Sequence, residues 1–320
     1  MPDVTNRLAD KTYIVGIGAQ KAGTSWLHRA LSAHPQIAMS GLKELHFYDA
    51  HHGTPEMRWD ETAQRERLAA AMRQTGDRPE LLHNPAFRTR LDGLRFRQRM
   101  FDEPGMYAKY FQHLARETHR AFGEITPAYA ALPLEGFRAM RDFHPRIRVI
   151  FLMRDPVSRL WSAFKHACRE SSATPTVERF AEYVERPRPR ARSDSAATLG
   201  KLERVFQPGE VWIGFYETLF CEASMDSLAE FIGVSRFEAS FETRVNAAPR
   251  KTEPIPPQIR ELALRHTTVS YRACVARFQA SIPDAWDGRG VTSATPDLAC
   301  GGAPATGPLP PQTTEPRLRT

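Results

Sequence analysis

The chain of 320 residues carries 44 Lys and Arg against 37 Asp and Glu, a net charge of +7, with 41% hydrophobic and 10% aromatic residues. These are globular proportions, which exclude a disordered, collagenous or coiled-coil protein and allow one large domain or two modest ones. The positive balance suits an anionic ligand without naming it.

In chain order, the N-terminal MPDVTNRLADKTY lacks the basic-then-apolar layout of a secretory leader, and no apolar run approaches the roughly 18 residues that span a bilayer. A soluble, cytoplasmic protein is the expectation. Thr12 to Gly18, TYIVGIG, is a β-branched apolar run that stops at glycines, and 23–33 follows with a helical pattern. Ile37 to Met39 and Ala121 to Thr126 are shorter strand candidates. Between them, residues 56–117 read as a charged, mostly helical insertion or lid. Ile147 to Met153 is a second strong strand, bounded by Pro145 and by Asp155-Pro156, and Pro156 suits the first turn of a helix. That helix carries Val157, Leu160, Trp161, Phe164 and Ala167 at offsets of three and four. Arg186 to Asp194, RPRPRARSD, reads as a solvated, proline-broken connector. Val211 to Tyr216 is a further strand, with a helix through Ile232 after it. From about Gly288 the composition turns to Gly, Pro, Thr and Ala, and 288–320 is expected to be a disordered tail.

Strands alternating with helical patterns predict an α/β fold around a largely parallel sheet, in one domain over 10–287. The four cysteines, Cys168, Cys221, Cys274 and Cys300, form no CxxC or CxxxC pair, so neither a zinc site nor a disulfide framework is indicated, and no His/Asp/Cys cluster has metal-ligand spacing.

Two segments carry chemistry. Gly18-Ala19-Gln20-Lys21-Ala22-Gly23-Thr24-Ser25 lies where strand becomes helix, so backbone N–H groups and the helix dipole converge on an anion. Lys21 adds a mobile charge, and Thr24 and Ser25 add hydroxyls. The match to GxxxxGK[ST] fails, because Lys21 precedes Gly23 instead of following it. In the second segment Arg154 ends a strand, Ser158 and Arg159 open a helix, and Ser162 lies one turn on. That makes a second phosphate clamp, unless Arg154 and Asp155 simply pair. Two clamps at the carboxyl ends of parallel strands fit a ligand with two separated phosphate groups.

These residues resemble the sulfotransferases that use 3′-phosphoadenosine-5′-phosphosulfate (PAPS), especially the branch of the heparan sulfate N- and 3-O-sulfotransferases and their bacterial relatives. GAQKAGTS at 18–25 looks like the family's 5′-phosphosulfate loop and KELHFYD at 43–49 like the segment with its catalytic acid. GEITPAY at 123–129 is similar to a stretch lining the acceptor cleft, and RDPVSRLWSAF at 154–164 looks like the 3′-phosphate motif. NAAPRKTEPIPPQIR at 246–260 resembles a basic loop closing over the adenosine phosphates. The resemblance implies a P-loop-type three-layer fold with helices flanking the sheet. It also implies sulfuryl transfer to a hydroxyl or amine of a small-molecule, carbohydrate or glycolipid acceptor, with PAP as product and no metal. The donor site it implies comprises Gln20, Lys21, Ala22, Gly23, Thr24, Ser25, Trp26, Arg154, Ser162, Arg250 and Lys251. Glu44 is the implied base, with Lys21 at the bridging oxygen and His46 beside it; Asp49 and Glu124 are candidates for orienting roles. At Ile125 the glycosaminoglycan enzymes usually carry lysine.

From the residues alone, Glu44 and His46 are two apart on what reads as extended chain, so both side chains point the same way. Two other functions use the same features. A nucleotide-dependent kinase would need a magnesium-binding acid and a lysine after the second glycine. A non-catalytic basic glycan- or nucleic-acid-binding protein would use the 186–192 segment and the arginines at 88, 90, 95, 97 and 99. The sulfotransferase reading involves no nucleic acid.

Overall fold

In a computed structural model of the chain, residues 7–54, 61–238, 254–286 and 307–308 are described. Six strands form one sheet among them: β1 (Thr12–Gly18), β2 (Ile37–Met39), β3 (Ala121–Ile125), β4 (Ile147–Met153), β5 (Val211–Phe215) and β6 (Gly307–Pro308). Their spatial order is β2-β3-β1-β4-β5-β6. The first five are mutually parallel and β6 runs antiparallel to β5. Of the stretch read as a disordered tail, only Gly307–Pro308 is described.

The helices are α1 (Thr24–Ala33), α2 (Phe47–His52), α3 (Glu61–Asp77), α4 (Pro85–Asp102), α5 (Met106–Leu114), α6 (Leu134–Asp142), α7 (Pro156–Glu170), α8 (Val177–Glu185), α9 (Pro187–Ser193), α10 (Ser195–Val205), α11 (Glu222–Ile232) and α12 (Pro257–Phe278). Nearly every residue of β1, β3, β4 and β5 is buried, as a parallel sheet covered by helices on both faces requires. This explains why their sequences are continuous apolar runs instead of alternating ones. No helix among the described residues is long and apolar enough to cross a membrane.

The register places the two candidate loops side by side. Tyr13, Val15 and Gly16 of β1 oppose Ile147, Val149 and Ile150 of β4, and a shift after Gly16 brings Gly18 opposite Phe151. A Cβ at Gly16 would stand 2.7 Å from Cγ1 of Ile125, so only glycine lets that isoleucine fill the gap between β1 and β3. Ile125 is fully buried there, and its side chain is part of the sheet's core.

The largest core runs through all five parallel strands. A second joins α7, α8 and α12 through Leu160, Phe164, Phe180 and Ile259. The helical insertion has a thin core of its own, in which Ala71, Leu91 and Leu94 are buried against Leu42, Leu68 and Phe87. At about 1.5–3 kcal/mol per buried large apolar side chain, this small set holds α3 against α4, while Met100 and Phe96 join α4 to the main core.

The stretch at 186–194 departs from its reading as a solvated connector. Pro187 starts α9 at its first turn, Pro189 is buried, and the buried Ser193 hydroxyl accepts from Arg159 and donates to the Pro189 carbonyl at 2.6 Å. The prolines that suggested a broken loop occupy the N-terminal turn, where a missing N–H costs nothing.

Candidate active site

The glycine loop follows β1 directly. Gly23 caps α1 with φ +84°, a left-handed conformation that a side chain would strain, and a Cβ there would also crowd Leu219 and Tyr216. Ala22 and Thr24 are buried, while Gln20, Lys21 and Ser25 are partly exposed. Trp26 is buried and packs edge-on against Phe220, with ring centroids 5.1 Å apart. Burial lowers the Lys21 pKa, and the neighbouring Arg169 and Arg154 charges lower it further, so this lysine sits in a field short of negative charge.

Arg154 does not pair with Asp155. Its Nη1 donates to the Lys21 carbonyl at 3.1 Å, and its guanidinium lies over the Tyr216 ring, 4.4 Å from the centroid. Asp155 instead caps α7, accepting from the Ser158 N–H at 2.7 Å and from the Tyr271 hydroxyl. Its own N–H donates to Glu217 at 3.0 Å. Arg154 thus ties the two loops into one surface, and Ser162 lies partly exposed on the second turn of α7 beside it. Arg250 and Lys251 lie outside the described residues.

Across from this surface is the segment 43–49. Glu44 and His46 are not in extended chain: both have left-handed backbones, at φ +67° and +58°, as does Lys21 at +69°. Such residues cost on the order of 1–3 kcal/mol each and persist where surrounding contacts overdetermine them. Those contacts are visible. The Glu44 N–H donates to the Ile125 carbonyl at 3.0 Å, and Arg97 Nη1 donates to the Glu44 carbonyl at 3.1 Å. The Leu45 N–H reaches Glu124 at 3.3 Å, and the Phe47 N–H reaches the Tyr129 hydroxyl at 2.9 Å.

The side chains of Glu44 and His46 do meet, though by kinked backbone and not by strand alternation. His46 Nε2 lies 3.5 Å from Glu44, and Nδ1 lies 2.7 Å from Asp49. Burial opposes the charged histidine, but hydrogen bonds to Asp49 and Glu44 outweigh it and raise the His46 pKa. For Glu44, burial pushes upward, yet the His46 hydrogen bond and Lys43 charge hold the carboxyl well below its usual range.

Beneath the segment, Glu124 is fully buried and receives Thr126 at 2.6 Å, Tyr107 at 2.7 Å and Tyr129 at 2.9 Å. Burial raises its pKa against those three hydrogen bonds. Tyr13 extends the network, with its hydroxyl 2.6 Å from Tyr107 and 3.3 Å from Tyr48.

Two arginines have site roles that the sequence reading did not give them, Arg192 and Arg97, and a third, Arg159 of the second clamp, lies deeper than expected. Arg192 of α9 donates to Gln20 at 3.3 Å and feels the charges of Glu44 and Asp49. Arg159 is buried, and burial lowers its pKa to about 10. Arg159 Nη1 and Arg192 Nε are buried without a hydrogen-bond partner among the described residues. Arg97, offered earlier only as surface charge, holds Glu44 in place. Among the described residues no group of three or more His, Cys, Asp or Glu could hold a metal ion.

A model of the sulfotransferase family matches residues 14–238, which contain both loops and the segment at 43–49. The chain belongs to the sulfotransferase family. Among solved structures, this sulfotransferase is similar to one from Alicyclobacillus acidocaldarius, at 21% identity and a TM-score of 0.56, covering 84% of this chain and 96% of that one. It is also similar to the sulfotransferase domain of the Synechococcus PCC 7002 olefin synthase, at 12% identity and a TM-score of 0.47, covering 81% and 94%. The first likeness bears on the fold, a parallel sheet flanked by helices. No curated protein matches the chain significantly.

Proposed function

We propose that this sulfotransferase takes its sulfuryl group from PAPS and passes it to a hydroxyl or amine of an acceptor, with carbohydrate as the leading acceptor class. The observation that carries the donor assignment is the bond from Arg154 to the Lys21 carbonyl, which makes the glycine loop and the α7 start one cationic surface. Such a surface suits a nucleotide with one anionic group at the 5′ position and another at the 3′ position. In this reading Gln20 to Trp26 hold the 5′ side, and Arg154 and Ser162 hold the 3′-phosphate. Arg250 and Lys251 complete the donor set by resemblance alone.

The acceptor oxygen attacks sulfur in line while the bond from sulfur to the bridging oxygen breaks. Negative charge builds on that oxygen, where Lys21 meets it, and the acceptor proton passes to Glu44. His46, held by Asp49, steadies the carboxylate. Glu44 is 39% exposed, so an acceptor reaches it without opening the core.

Thermal shift with adenosine 3′,5′-bisphosphate and ATP tests the donor, because a ligand stabilises by RT ln(1 + [L]/Kd). The bisphosphate should stabilise much more than ATP, and equal shifts would refute the reading. Arg154→Ala should weaken bisphosphate binding by about 1.5–3 kcal/mol, roughly 10- to 150-fold, as measured by calorimetry.

A further inference from the structure

Beside the base lies a pocket of about 180 Å3 lined by Lys43, Glu44, His46, Arg67, Arg90 and Arg97 and floored by leucines. It faces the helical insertion: Arg67 comes from α3, and Arg90 and Arg97 come from α4, seven residues apart on one face. The arginines of α4 divide accordingly. Arg95 lies 3.7 Å from Asp92, and Arg99 pairs with Glu103, both outside the pocket. Arg90 and Arg97 line it, and neither forms an ion pair among the described residues.

Arg97 is only 3% exposed, its guanidinium donates to the Glu44 carbonyl, and it forms no ion pair among the described residues, though the charges of Glu124 and Glu44 act on it. Burial without a direct ion pair is costly for a guanidinium, and an anionic ligand in the pocket would offset part of that cost. Among the described residues that line the pocket Glu44 is the one carboxylate, and it is itself engaged, since Lys43 Nζ is in direct contact with it. A carboxylate held by an ammonium group has little pull on an acceptor proton.

We propose that this pocket receives an anionic group of the acceptor, a carboxylate or equivalent next to the reacting hydroxyl, and that this anion draws Lys43 off Glu44 and so frees the base. The planar guanidinium groups of Arg90 and Arg97 suit such an oxyanion. Lys43 is the mobile element, a point charge on a flexible stem and 24% exposed, able to exchange one carboxylate for another. A neutral acceptor would find Glu44 still occupied. The proposal rests on Glu44 being the base, but its first test does not require turnover.

Calorimetry on the full chain, with and without adenosine 3′,5′-bisphosphate, would use two matched pairs: glucuronate against glucose, and 4-hydroxybenzoate against 4-hydroxybenzyl alcohol. At least one acid should bind about tenfold more tightly than its neutral partner, and Arg90→Ala should erase most of that difference while leaving bisphosphate affinity unchanged. Glu44→Gln should tighten acid binding severalfold, because Lys43 then has no competing carboxylate.

If neither acid outbinds its neutral partner, or if Arg90→Ala leaves the preference intact, the pocket is not an anion receptor. Unchanged acid affinity in Glu44→Gln would overturn the release of Lys43. Failure of the bisphosphate to bind would count instead against the donor reading, so the two can fail separately.

Discussion

In the glycine loop the candidate ligand-binding groups belong to consecutive residues, 18–25, at the junction of one strand and one helix. In the segment 43–49 most groups are fixed from a distance, Glu44 by β3 and α4, Leu45 by Glu124 and Phe47 by Tyr129, and only the bond from His46 to Asp49 is local. Both regions contain strained left-handed residues and both receive bonds from distant residues, but the first also has a strand end and a helix start to shape it locally. A site for one constant ligand can be built locally, whereas a site that must match a variable partner is assembled from parts that change independently.

The comparison breaks most directly at Glu44. Glu44→Gln keeps the side chain's shape and should slow turnover roughly 10²- to 10⁴-fold with any acceptor the parent sulfates, while bisphosphate affinity stays put. Turnover within about threefold of the parent would remove Glu44 from the base role. A loss of bisphosphate affinity comparable to the loss of rate would mean that the two regions are not separate.

Glu124→Gln probes the distant support. An amide offers its nitrogen to donors that Glu124 now accepts, so about 1–3 kcal/mol of stability should be lost in denaturant unfolding. If Glu124 positions the segment, kcat should fall by roughly tenfold, KM for the donor should hold, and Glu124→Asp should restore little because the carboxylate is drawn back. A stability loss with kcat unchanged would make Glu124 a core residue only.

The smallest expected effect concerns pH. The folded protein raises the His46 pKa above its unfolded value near 6.5, so this group's stabilisation is fully present below about pH 6.5 and fades as pH rises through the folded pKa. Comparing Tm at about pH 6 and pH 9, the parent should lose more than His46→Gln, by on the order of a few degrees. Equal losses would mean that the Asp49–His46 contact is not an ion pair.

This division also explains what could be read from sequence. The glycine loop and the segment from Arg154 were legible because their residues are contiguous and lie at strand ends, and the five parallel strands announced themselves as apolar runs. Glu44 and His46 were found together for the wrong geometric reason, since nothing in KELHFYD reveals two left-handed residues. Arg192 was missed although Pro187 marked a helix start, because RPRPRARSD also fits a solvated loop. Arg97 carries no local signal for its role; packing alone removes it from water and aims it at the Glu44 carbonyl.

The buried hydroxyl network around Glu124 has a consequence for how the chain is assembled. The Tyr13–Tyr107 bond joins residues 94 positions apart, and the contact from Leu45 to Glu124 spans 79. Closing such loops costs entropy before any contact repays it, so these bonds form after local turns such as the one around Gly23. A chain stopped short of its native state would therefore carry a nearly finished glycine loop and an unordered segment at 43–49. Completion of folding and ordering of the segment that carries Glu44 become one event.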